Sequence, residues 1–184
     1  MTIPRLDAAS TALVIVDMQE RLLPAIHEKE RLISNARLLL RAARVLEVPV
    51  VMTTQYLKGL GPTEAEILEL APPGTQPIDK LTFSCFGSPD FKQALSATRR
   101  TSVLLCGVEA HICVLQTGLD ALAAGYQVHL VTDATGSRAA ANAATGHRRL
   151  EGAGAIPSST EMAIYELLGA SGTPAFKALL PHFK

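Results

Sequence analysis

Short apolar runs alternate along this chain with longer stretches in which apolar residues return every three or four positions. The first run, TALVIVD from Thr11 to Asp17, is continuous and rich in β-branched residues. It predicts a strand buried on both faces, because a half-exposed strand alternates apolar with polar positions. Leu32, Ile33, Ala36, Leu39, Leu40, Ala43 and Leu46 then recur at helical spacing, with Arg37, Arg41 and Arg44 on the opposite side. Pro49 stops that helix, and PVVMTT, Pro49 to Thr54, reads as a second strand.

Residues 55–76 lack either period and are punctuated by Gly59, Gly61, Pro62, Pro72, Pro73 and Gly74. An irregular segment of this length inside a compact domain is expected to serve function or motion. Beyond it, Pro77 to Lys80 reads as a short third strand, Asp90 to Ala97 as a helix and Thr101 to Gly107 as a fourth strand. A helix from Cys113 to Ala124 closes on Gly125. YQVHLVTDA, Tyr126 to Ala134, holds the next strand, with Val128, Leu130 and Val131 as core candidates. Ser137 is a candidate cap for a helix ending near Gly152 or Gly154, and AGAIPSS is a weak last strand. Ser158 and Glu161 match the S-x-x-E capping box of a helix running to about Gly169. The tail, Pro174 to Lys184, reads as a short helix that packs on a neighbour.

Repeated strand–helix units with buried apolar strands imply a parallel sheet covered by helices on both faces. The expected fold is therefore a three-layer α/β/α sandwich of Rossmann-like type with a mostly parallel central sheet. With no internal repeat or linker, residues 1–184 are expected to form a single domain.

Composition narrows the partners. The 17 basic and 17 acidic residues leave a formal net charge of zero. No basic face is implied, so neither nucleic acid nor an anionic membrane is an expected partner. A chain without net charge also lacks one barrier to self-association, which favours a homo-oligomer, a dimer or larger. No apolar run is long enough to span a bilayer, and MTIPRLDAAS has no signal-peptide core, so a cytoplasmic location is expected. The three cysteines are an odd number without zinc-type spacing, so each reads as core filling or as a reactive thiol.

In parallel sheets ligands bind at the C-terminal ends of the strands. Asp17 closes the first strand, Lys80 closes the short third one, and Cys113 lies just past the fourth, where a helix begins. Each has a plain structural reading: a turn-capping acid, a solvated lysine, a small core hydrophobe. Their convergence on one sheet edge argues for catalysis. A thiol attacks as thiolate, and a helix N-terminus and a nearby lysine both lower its pKa. An adjacent carboxylate takes the thiol proton and returns it to a leaving group, while backbone N–H groups before the helix hold an oxyanion.

The turn GVEAHIC, Gly107 to Cys113, is the tight strand-to-helix connection this needs. His111 stands two residues from the cysteine, a spacing that points the two side chains apart on a helix, so it reads as a pocket-rim or structural residue. Gln19, Gln55, Tyr56, Leu60, Phe83 and His111 are pocket candidates by placement, for a small-molecule substrate. Cys106, inside an apolar strand, reads as filler, and Cys85 follows the lysine motif.

VIVDMQ at Val14 to Gln19, K-x-x-F-S at Lys80 to Ser84, GVEAHICVLQT at Gly107 to Thr117 and GYQVHLVTDATGSR at Gly125 to Arg138 together resemble the isochorismatase-like cysteine hydrolases. The resemblance covers nearly the whole chain. TTQYLKGLGPTE, Thr53 to Glu64, resembles the isochorismatase-domain-containing subgroup shared by bacteria and animals. It implies a catalytic Asp–Lys–Cys group at Asp17, Lys80 and Cys113. It also implies a cis Val108–Glu109 bond and an oxyanion hole from the N–H groups of Glu109 and Cys113. The nicotinamidase branch carries an Asp-x-His metal site after the second strand, where this chain has Thr53, Thr54, Gln55 and Tyr56. His27, His129, His147 and His182 show no ligand spacing. No metal and no cofactor are therefore expected. Family members that cleave isochorismate lack the nucleophilic cysteine, so Cys113 points instead to acyl chemistry on an amide, carbamoyl group or ester through a thioacyl-enzyme. Two other readings stay open: a binding or scaffold protein that keeps the fold without catalysis, and a redox-sensing thiol protein.

Overall fold

The structure is a computed structural model describing residues 3–183. Its elements run β1 (Thr11–Val16), α1 (Lys29–Val45), β2 (Val50–Gln55), α2 (Leu57–Leu60), α3 (Ala65–Leu68), β3 (Ile78–Lys80), α4 (Pro89–Ala97), β4 (Ser102–Val108), α5 (Cys113–Ala123), β5 (Gln127–Gly136), α6 (Ala140–Gly152), β6 (Ile156–Ser158), α7 (Thr160–Leu168) and α8 (Pro174–Leu179). The six strands form one sheet in the order β3-β2-β1-β4-β5-β6, and every pairing is parallel. The α/β sandwich expected from the pattern is the observed architecture.

β1 shows why its apolar run is unbroken. Leu13 and Ile15 enter one core with Leu32, Leu39 and Leu40 of α1, while Ala12, Val14 and Val16 enter the other with Phe91 and Leu95 of α4 and Val114 of α5. Successive side chains point to opposite faces, so a central strand with helices on both sides needs apolar residues at every position. Each such Val, Leu or Ile side chain contributes about 1.5–3 kcal/mol on full burial.

The chain leaves β1 toward β2 and β3 on one side and crosses back to β4 on the other. The switch point of the sheet therefore lies between the C-terminal ends of β1 and β4. Gly107 makes the close approach there possible. Its φ is +115°, and a Cβ would sit 2.1 Å from the Val16 carbonyl oxygen, which excludes any other residue.

Three local expectations are corrected. Residues 55–76 are not wholly irregular: α2 and α3 each make one helical turn within them. Ser137 does not cap α6, whose N-cap is Ala139 and carries no side-chain hydrogen bond. Helix α7 is capped by Ser159, which accepts from the Met162 N–H, one residue later than the Ser158–Glu161 box. Ser158 is held in the sheet instead, in register with Val131. The tail packs on its own chain, with Leu179 buried in the α1 core. Lys184 lies outside the described residues.

Candidate active site

The ends of β1, β2 and β3 meet in a buried polar cluster. Asp17 follows β1 in a left-handed conformation, φ 51°. Its Oδ2 accepts from Lys80 Nζ at 2.8 Å, and both side chains are completely buried. Its Oδ1 accepts from the Thr53 hydroxyl at 2.7 Å. Lys80 reaches this point because β3 pairs with β2 in a register that sets Lys80 beside Gln55. The ammonium also donates to Gln55 Oε1 at 2.8 Å and to the carbonyls of Phe83 and Thr82 at 3.2 and 3.3 Å. Such saturation offsets the cost of taking a charge pair out of water.

Gln19 is part of the frame. It is fully buried, accepts from the Gln55 N–H at 2.7 Å and donates to the carbonyls of Gly61 at 2.7 Å and Gln55 at 3.1 Å. It thereby ties the exit of β1 to the exit of β2. Tyr56 and Phe83 are half-exposed beside the cluster. Leu60 ends α2 and is partly buried.

Cys113 is the first residue of α5 and is 7 % exposed. The side-chain hydrogen bonds of Asp17 come from Lys80 and Thr53; the Cys113 thiol lies near enough for both charges of the pair to act on it. Burial and the Asp17 carboxylate push the thiol up to about 12, and Lys80 offsets this only in part. The expectation of a lowered pKa is thereby corrected: desolvation, together with the Asp17 charge, outweighs the lysine. Lys80 itself is raised; burial works against its charge, but the field of Asp17, aided by the two neighbouring cysteines, wins. Cys85 is pushed up to about 11 and Cys106 to about 12, chiefly by burial, as suits core sulfur.

The turn before α5 is shaped on both sides. The Val108–Glu109 bond is cis. The Glu109 carbonyl accepts from the N–H groups of Ile112 and Val114 at 3.0 and 3.2 Å. The N–H groups of Glu109 and Cys113 themselves have no hydrogen-bond partner among the described residues. The Glu109 carboxylate is turned away and clasped by Arg138, through the backbone N–H at 3.0 Å and Nε at 3.1 and 3.2 Å. Arg138, with Arg21, Leu22, Ala25, Ile26 and Glu109, lines a cavity of about 350 Å³ beside this turn. His111 points elsewhere: its Nδ1 lies 2.9 Å from the Ser137 hydroxyl and its Nε2 faces Asn142. From below, α6 presses on the turn through Gly146, where a Cβ would come within 2.6 Å of the Ala110 carbonyl oxygen.

The structure thus gathers Asp17, Lys80, Cys113, Gln19 and Gln55, leaves Tyr56 and Phe83 at the rim, and directs His111 to Ser137. Thr53 and Arg138 were not singled out from the sequence. Thr53 had a signal, since it stands two residues before Gln55 and so on the same face of β2. Arg138 had none, because its partner Glu109 is 29 positions away. Among the described residues no group of three or more His, Cys, Asp or Glu side chains is arranged to hold a metal ion, and no helix is long and apolar enough to cross a membrane.

Residues 11–162 match the isochorismatase domain family. The chain is 42 % identical to isochorismatase domain-containing protein 2 of Macaca fascicularis over 171 residues, covering 92 % of this chain and 81 % of that protein. Among solved structures, the MAR1 ribonuclease from Caenorhabditis elegans superposes with a TM-score of 0.92 at 36 % identity, over 97 % of this chain and 92 % of that one. The ycaC gene product of Escherichia coli, described as an octameric hydrolase of unknown specificity, also gives 0.92, at 26 % identity over 99 % and 91 %.

Proposed function

The chain belongs to the isochorismatase family, and from that premise we propose that it is a metal-independent cysteine hydrolase of small amides, carbamoyl compounds or esters. The observation that carries this reading is the completely buried Asp17–Lys80 pair, 2.8 Å apart, near enough to the thiol that opens α5 for both charges to act on it. A buried carboxylate with one oxygen held by lysine and the other by Thr53 is fixed in direction. Its remaining lone pairs are what a thiol proton needs.

With the thiol held at about 12, the resting group is S–H. Proton transfer to Asp17 therefore accompanies attack and does not precede it. The sulfur bonds to the substrate carbonyl carbon, and the S–H proton passes to an Asp17 oxygen. The unpartnered N–H groups of Glu109 and Cys113 receive the oxyanion. As the carbon–leaving-group bond breaks, the Asp17 proton goes to the departing amine or alkoxide. Water, deprotonated by Asp17, then cleaves the thioacyl bond and restores the thiol. Lys80 keeps its charge beside Asp17 throughout and orients it.

Metal independence rests on the donors at the C-terminal end of β2: Thr53 and Gln55 are spent on Asp17 and Lys80. A homo-oligomer belongs to the same proposal, supported by the octameric E. coli neighbour; light scattering on the purified chain that gives a monomer mass removes it. The redox-sensor reading loses ground, since a thiol with a raised pKa is slow to oxidise. The test of the hydrolase is a panel of short amides, carbamoyl compounds and esters, followed by turnover and by intact mass. Wild type is expected to accumulate a thioacyl adduct that Cys113→Ala lacks. Equal turnover by Cys113→Ala refutes the assignment.

A further inference from the structure

The cavity of about 350 Å³ beside the catalytic turn has a lining that the hydrolytic steps leave unused. Its polar residues are Arg21, Glu109 and Arg138, and its apolar ones are Leu22, Ala25 and Ile26. Two guanidinium charges meet one carboxylate there, so the lining carries one uncompensated positive charge. Arg138 engages Glu109 through its backbone N–H and Nε, which leaves the four N–H donors of its Nη groups. Its side chain is 64 % exposed, so those donors are open to an incoming ligand. Arg21 is held from the other side. Its Nη1 donates to the Gly59 carbonyl at 2.9 Å, and its other donors have no acceptor among the described residues.

The walls are fixed in the unliganded chain. The N–H groups of Leu22 and Leu23 donate to the Gln19 carbonyl at 3.0 and 2.9 Å, and the His27 N–H donates to the Ser137 carbonyl at 3.1 Å. Ile26 is buried in the α1 core. Residues 21–27 are therefore pinned between the exits of β1 and β5. The opposite wall belongs to the catalytic turn. The Ile112 N–H returns to the Glu109 carbonyl at 3.0 Å, a turn whose ends lie within about 7 Å of each other, and Cys113 follows directly. One residue, Glu109, thus gives its side chain to the cavity and an unpartnered N–H to the site of the thiol.

We propose, resting on the hydrolase reading above, that this cavity selects an acidic substrate: an amide, carbamoyl compound or ester that also bears a carboxylate a few bonds from its scissile carbonyl. Arg21 and Arg138 receive the carboxylate, whose two oxygens match a planar guanidinium fork. Leu22, Ala25 and Ile26 cover the short carbon chain, and the N–H groups of Glu109 and Cys113 take the carbonyl oxygen. Glu109 acts as a positioning residue that orients Arg138. The volume falls at the low end of the roughly 300–1,000 Å³ of ligand pockets, which suits a chain of a few carbons. The monoamides of short dicarboxylic acids have this form.

The probes are the monoamides and diamides of the dicarboxylic acids from malonic to adipic, at ionic strength balanced with chloride. Each pair differs only in a carboxylate against a carboxamide. Calorimetric titration of Cys113→Ala reads binding without hydrolysis. At least one monoamide is expected to bind saturably and about tenfold or more tighter than its diamide, the effect of a charge-assisted hydrogen bond. Arg21→Gln changes an exposed side chain. Arg138→Gln is combined with Glu109→Gln, so that no buried carboxylate is stranded. Each change is expected to cut the monoamide's advantage roughly tenfold. Monoamide binding that needs the arginines, without turnover by wild type, refutes the hydrolase and keeps the cavity as a carboxylate site. Turnover of diamides with no preference for monoamides, or a preference that survives both changes, overturns the cavity and keeps the hydrolase. No saturable binding by any monoamide also overturns it.

Discussion

Replacing Lys80 with methionine isolates the energetics of the buried pair. The Asp17 and Lys80 side chains are both 0 % exposed and meet at 2.8 Å. Lys80→Met keeps most of the side-chain volume but leaves the Asp17 carboxylate without its cation, with Thr53 as its remaining side-chain donor. Stranding one member of a buried pair costs about 3–5 kcal/mol. That is a large share of the roughly 5–15 kcal/mol that keeps a domain folded. Asp17→Asn strands the ammonium in the same way, although Gln55 and two carbonyls still accept from it. The double variant removes both charges together, so its loss is expected to fall short of the sum by about 2–3 kcal/mol. Urea unfolding at neutral pH measures all four proteins, with unchanged m-values as the condition for comparing them. The pair also has a pH signature. Lys80 is held above 10.5 in the folded state and titrates near 10.5 when unfolded. Its contribution is therefore complete below 10.5 and fades as pH rises through the folded value, so the gap between wild type and Lys80→Met narrows in that alkaline range. A loss under about 1 kcal/mol for Lys80→Met, or strict additivity in the double variant, refutes the reasoning.

Three further outcomes are expected. Alkylation of Cys113 by iodoacetamide, followed by intact mass, is slow at neutral pH and rises toward pH 12; Asp17→Asn speeds it and Lys80→Met slows it, because the first removes a charge that raises the thiol and the second one that lowers it. Fast labelling at neutral pH contradicts the burial argument. Thr53→Val deprives Asp17 Oδ1 of its 2.7 Å donor; it is expected to cost about 1–3 kcal/mol by urea unfolding and to lower kcat more than it changes KM. An unchanged kcat shows that Lys80 alone orients the acid. Gly146→Ala drives a methyl to within 2.6 Å of the Ala110 carbonyl oxygen; it is expected to destabilise by about 1–3 kcal/mol and to reduce turnover by moving the turn before Cys113. Wild-type stability and activity together reject that contact.

Much of this molecule was written locally. The unbroken apolar run of β1 and the three-to-four spacing of α1 are periodicities within single segments, so they specified strand and helix without knowledge of any partner. Parallel pairing then followed from the preference for strand–helix units, while the strand order came from the tertiary structure, and placing Asp17, Lys80 and Cys113 at strand ends was enough to bring them to one edge. Other features depended on what lies opposite in space. Ser158 and Ser159 are equivalent as caps on paper; pairing of β6 with Val131 takes Ser158 into the sheet and leaves Ser159 to cap α7. Ser137 precedes a helix, yet its hydroxyl bonds His111. Glu109 finds Arg138 across 29 positions, which no local pattern marks. The thiol is the sharpest case. Its neighbours in the chain, a helix start and a motif lysine, argued for a lowered pKa, whereas its tertiary surroundings raise it to about 12. Which residue types stand near Cys113 was legible in the sequence, but how much water reaches it depends on everything packed above, and desolvation is the larger effect.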